Sequence, residues 1–132
     1  MSWKMQTKTG VLLAMISLFG CSPPPVSEQA RRLGTQMFSQ ETWATASQEK
    51  RGEMVSSFLS QHDLKSLTSS DIKTLLGVPT AYYDYDENPA YFVGPSTVES
   101  EYGKGYLLAF VADKASGKII AVRIIPEPRS SP

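Results

Sequence analysis

The stretch Leu75-Leu76-Gly77-Val78-Pro79 divides the chain into two kinds of pattern. Before it the apolar residues recur at helical spacing; after it they alternate or run together in short segments rich in β-branched and aromatic residues. Helices therefore come first and strands last. That order argues against a βαβ alternation and predicts an α+β layer, with two helices packed on one face of a three- to four-stranded antiparallel sheet.

The first of these helices spans Gln48 to Gln61. Met54, Val55, Phe58 and Leu59 fall on one face, and Glu49, Lys50, Arg51 and Glu53 on the other. The second lies in "TSSDIKTLLGVP". Thr68 is placed to cap the free amide of Asp71, whose carboxylate reaches back. Ile72, Leu75 and Leu76 supply the apolar face, Gly77 closes the end in a left-handed cap and Pro79 prevents continuation. Downstream, "AYYDYD" sets Tyr83 and Tyr85 against Asp84 and Asp86, while "AYFVG", "GYLLAFVA" and "KIIAVRII" are near-continuous β-formers. "DENP" and "DKASG" suit hairpin loops, and no helix-length crossover separates the strands.

The start of the chain has a different character. Lys4 and Lys8 are its only charges before residue 28, and residues 11–19, "VLLAMISLF", carry none. Nine residues are too few to span a bilayer, which takes about twenty as a helix, and they lack amphipathic spacing; a basic start, a short apolar core and Gly20 describe a secretory signal over residues 1–20. Leu18-Phe19-Gly20-Cys21 then resembles the lipobox of bacterial lipoproteins. The resemblance implies that the Cys21 thiol is acylated and that Cys21 becomes the mature N-terminus. It implies two or three acyl chains such as palmitate, enough for stable membrane anchoring. Ser22, standing where an aspartate would resemble an inner-membrane retention signal, implies an outer membrane and a periplasm-facing domain. "SPPPVS" reads as an extended stalk. Residues 28–39 place Ala30, Leu33 and Met37 at helical spacing behind Ser27 as N-cap, but Gly34 costs such a helix about 1 kcal/mol. Residues 21–40 are accordingly assigned to a proline-rich tether with a short helix as an option, 41–126 to the α+β domain, and 127–132 to a disordered tail.

Several function classes find little support. Thirteen basic and thirteen acidic side chains cancel, so no field recommends nucleic acid. One cysteine makes no internal disulfide and, with one histidine, no thiolate zinc site. His62 lies in the polar "SQHDL", where a surface or helix-end histidine is the plain expectation, and no nucleophile motif accompanies it. Asp84, Asp86 and Asn88 match the opening of a calcium loop, but Pro89 holds the required glycine position and Pro95 the closing glutamate position. Glu49, Glu53, Asp84 and Glu99 show no pairing that would mark a glycosidase. The expectation is a nonenzymatic protein with no cofactor and no metal.

Six tyrosines, at 82, 83, 85, 91, 102 and 106, crowd residues 82–106 together with Phe92. Tyrosine suits binding surfaces because it offers wide apolar area with a polar tip, although strands favour aromatics for packing alone. Tyr83, Tyr85 and Tyr91 are the candidate partner contacts.

From Glu49 to Ile125 the order of helix, capped helix, "LLGVP" and then strands with "YLLAF" resembles the small lipoprotein domain of the BamE (SmpA/OmlA) and BLIP-like group, with "LTSSDIKTLLGVP" its most specific piece. The resemblance implies a noncatalytic envelope lipoprotein that binds another envelope protein, as a scaffold or accessory module in outer-membrane protein assembly or envelope maintenance. The BLIP-like branch implies an alternative, a binder or inhibitor of an envelope hydrolase. An enzyme of unrecognised type is a third reading and lacks a side-chain constellation.

Overall fold

A computed structural model of the chain describes residues 22–129. Four α-helices precede six strands: α1 (Val26–Arg31), α2 (Gln40–Thr45), α3 (Gln48–Gln61), α4 (Ser69–Leu76), β1 (Ala81–Tyr82), β2 (Pro89–Val93), β3 (Glu99–Ser100), β4 (Gly103–Lys104), β5 (Tyr106–Ala112) and β6 (Ile119–Ile125). β1, β2, β5 and β6 form an antiparallel sheet in that order, and β3 pairs with β4 as a separate hairpin. The α+β expectation holds, enlarged by two short helices and a hairpin.

The two expected helices form for the reasons their sequences suggest. Ser47 caps α3 by accepting from the Lys50 amide. At α4 the Thr68 hydroxyl accepts from the Asp71 amide while the Thr68 amide donates to the Asp71 carboxylate. Ser39 caps α2 in the same manner through the Thr42 amide. The helix end at Gly77 departs from expectation. Its φ of 85° and ψ of −165° lie outside the left-handed helical well, in a region that essentially only glycine occupies. A Cβ there would meet nothing within 4 Å, so the constraint is torsional and not steric. Gly77→Val should therefore cost about 2 kcal/mol or more, read as a lower denaturation midpoint at unchanged slope. An unchanged midpoint would remove the backbone argument.

The core is a layer between the helices and one face of the sheet. Tyr91, Val93, Leu108, Phe110 and Ile124 from the strands meet Met54, Val55, Phe58, Ile72 and Leu76 from the helices. α3 packs closely on the end of β2 at Gly52, where a Cβ would lie 2.8 Å from the Gly94 backbone. The opposite face carries a smaller cluster of Ala90, Leu107 and Ala109, over which Tyr83, Phe92, Tyr102 and Ile125 pack.

The segment assigned to a tether contributes to this core, with Ala30 and Phe38 buried and Val26 and Leu33 packed against it. α1 starts at Val26 and not behind Ser27, because the Pro25 carbonyl accepts from the Glu28 and Gln29 amides. Ala30 is fully buried and Leu33 packs against the core, while Met37 is exposed beyond the helix. The following loop is tied to α3: the Gln36 amide donates to the Glu53 carbonyl and the Phe38 amide to Ser57 Oγ, both at 2.9 Å. The Phe38 ring meets Phe58 edge-on at 5.0 Å. The expected tail is corrected in part as well. Pro128 is buried, and Arg32 donates to its carbonyl at 2.8 Å. Residues 130–132, and the expected signal over 1–20 with Cys21, lie outside the described residues.

Candidate protein-binding surface

Strand alternation, which puts Tyr83 and Tyr85 on one face, stops at Tyr82. β1 is two residues long because the chain then turns tightly: the Tyr85 amide donates to the Tyr83 carbonyl at 2.7 Å and Asp84 takes a φ of 63°. The turn sends its two tyrosines in different directions. Tyr83 folds over the second face of the sheet against Tyr102, with ring centroids 5.8 Å apart. Tyr85 projects outward, 53% exposed, with Lys114 Nζ 3.7 Å from its ring centroid. Tyr82 is 44% exposed, with Lys73 Nζ 5.9 Å from its ring. The wet aromatic surface is thus Tyr82 and Tyr85, each beside a lysine.

Tyr91 is corrected from contact to core. Its side chain is fully buried, edge-on to Trp43 and Phe110, and its hydroxyl donates to the Gly77 carbonyl at 2.8 Å. Burial raises its phenol above the usual range, so it stays protonated and keeps donating. Trp43, unnoticed in the sequence, does the same job one residue earlier: its indole N–H donates to the Leu76 carbonyl at 2.9 Å. Two buried aromatics thus satisfy carbonyls that the end of α4 leaves without helical partners. Ser39 ahead of "QETW" was the available signal for the short helix that delivers Trp43.

The remaining candidates resolve into structure. Asn88 is 4% exposed; its amide nitrogen donates to the Tyr83 carbonyl and its oxygen accepts from the Ala112 amide, both at 2.8 Å. It clamps the tyrosine turn to the end of β5, which is its use in place of calcium ligation. Asn88→Ala would strand the Ala112 amide at about 1–3 kcal/mol, while the Tyr83 carbonyl keeps the Tyr85 amide, a loss that chemical denaturation would register. No loss would show that water reaches the Ala112 amide. His62 sits at the end of α3, with Nδ1 3.1 Å from the Phe58 carbonyl and its ring 4.7 Å from that of Phe58. Among the described residues no three His, Cys, Asp or Glu side chains gather as metal ligands. Among them, too, no helix is long and apolar enough to cross a membrane.

Compared with family models, curated proteins and solved structures, the chain matches none.

Two open grooves flank β6. One, of about 290 Å³, lies between Val26, Leu59, His62, Lys65 and Ile119–Val122. The other lies between Pro23, Pro24, Gln29 and Ala121–Ile125. The first is mainly apolar; Ser27, His62 and Asp63 all line it, with His62 Nδ1 turned to the Phe58 carbonyl.

Proposed function

We propose that the protein is an acylated lipoprotein of the bacterial envelope, anchored through Cys21 in the outer membrane and facing the periplasm, where it binds another envelope protein as a noncatalytic scaffold or accessory module. The lipobox-like Leu18-Phe19-Gly20-Cys21 behind an uncharged nine-residue run carries this reading. The BamE-like order of capped helix and strands supports the accessory role. Cys21→Ala should leave an uncut precursor without acyl mass. Wild-type protein cut elsewhere and free of lipid, by intact-mass spectrometry, would overturn it.

The partner contact is assigned to the exposed turn tyrosines, Tyr82 and Tyr85. Tyr85→Ala should leave the melting temperature nearly unchanged while weakening partner capture after membrane cross-linking by about 2 kcal/mol, the effect of losing an aromatic hot spot. Undiminished capture by both the Tyr82→Ala and Tyr85→Ala proteins would remove this turn as the interface. A stoichiometric membrane complex is the expected capture; a soluble hydrolase in its place would make the protein an inhibitor.

A further inference from the structure

We propose that the outer edge of β6 rests against the membrane, with Ile120 entering the boundary between lipid headgroups and acyl chains. The inference depends on acylation of Cys21 and adds which side of the domain faces the lipid. Packing begins almost at the anchor. Pro23 and Pro24 already line a groove against β6, and the Pro24 carbonyl accepts from the Gln29 side chain. Three residue steps separate the Cα atoms of Cys21 and Pro24, a reach of at most about 11 Å. An acylated Cys21 held at headgroup level keeps the Pro24 side of the domain within that distance of the bilayer. β6 is the sheet edge on that side, with β1 at the opposite edge.

The chemistry of this edge suits a lipid interface. The pairing register slips between Val111 and Ala112, so that Ile120 is an extra residue in β6, 56% exposed. Bulges of this kind re-aim a side chain. Lys65 shares its groove, and Lys118 and Arg123 stand exposed on either side of it along the chain. Long cationic side chains can lay their stems along acyl chains while their heads meet phosphates. Asp63 and Glu127 also line the two grooves, so the contact is with the interface itself and does not require anionic lipid. An extended peptide is the other occupant an edge strand could take. The bulge disrupts the ladder it would need, and the Ile119 amide at the start of β6 is already taken by the Leu67 carbonyl.

The test uses the full chain, acylated in cells and reconstituted in phosphatidylcholine vesicles with brominated acyl chains. Ile120→Trp places an emitter at the bulge. Val78→Trp places one at an 86% exposed site just ahead of β1, across the sheet. Trp43, fully buried, is the internal reference. Emission from position 120 should fall by about half or more if it lies 5–10 Å into the interface, and emission from position 78 should not change. An acylated Ile120→Trp protein that is not quenched, or equal quenching at 78, overturns the proposal. Absence of acyl mass refutes the anchoring itself and is read separately by mass spectrometry. If Ile120→Trp does not fold, hydrogen exchange on the wild-type protein decides: vesicle binding should slow exchange over residues 120–125 and not over 78–82. A photoreactive group at position 120 that captures protein and not lipid in cells would assign the edge to a peptide and overturn the membrane contact.

Discussion

A chain beginning at Glu41 should show no cooperative thermal transition. The sequence pattern alone assigns residues 21–40 to a tether and predicts that such a chain folds, but the structure places Ala30 and Phe38 inside the core. Phe38 touches Phe58 at 5.0 Å and Trp43 at 6.0 Å between ring centroids, so its loss opens a cavity beside two aromatics. Removing one such ring costs about 3–5 kcal/mol. Deleting α1 and the loop after it also removes Ala30 from the core and frees Glu53 and Ser57 from the amides they hold. A domain of this size has about 5–15 kcal/mol in total, so the truncated chain falls near or below the limit. Circular dichroism through a thermal ramp is the measurement. A sharp transition at the temperature of the chain beginning at Ser22 would show that the segment is bound but dispensable.

Tyr91→Ala should be the most damaging single substitution of the tyrosine group, at about 4 kcal/mol, and Tyr91→Phe should cost about 1 kcal/mol. The alanine variant loses a fully buried ring and leaves the Gly77 carbonyl without its 2.8 Å donor; phenylalanine loses the donor alone. Urea midpoints of the two variants separate packing from hydrogen bonding. Partner capture by the folded Tyr91→Phe protein should equal that of wild type, because no part of this side chain meets solvent. Equal midpoints for the two variants, or weakened capture by Tyr91→Phe, would return Tyr91 to the surface.

What could be read from the sequence was local. The capping box of Thr68 and Asp71 closes within four residues, and Met54, Val55 and Phe58 recur at the helical period, so α4 and the buried face of α3 needed no knowledge of their neighbours. The β-branched runs of β5 and β6, joined through a short turn, dictated antiparallel pairing by connection length alone. The same locality accounts for the errors. Alternation in "AYYDYD" gave Tyr83 and Tyr85 a common face, but Asn88 reaches from that turn to Ala112, 24 residues further along, and fixes a turn where the pattern suggested strand. Tyr85 stands between Asp84 and Asp86 and Tyr91 within the apolar Ala90-Tyr91-Phe92-Val93, but both are tyrosines of one hairpin; the carbonyl of Gly77 and the rings of Trp43 and Phe110 complete the site that makes Tyr91 core. Gly34 and three prolines made the N-terminal segment look like a spacer because propensity counts only nearest neighbours. Its burial depends on contacts with α3 and β6 that lie tens of residues away, and those exist only once the sheet has formed.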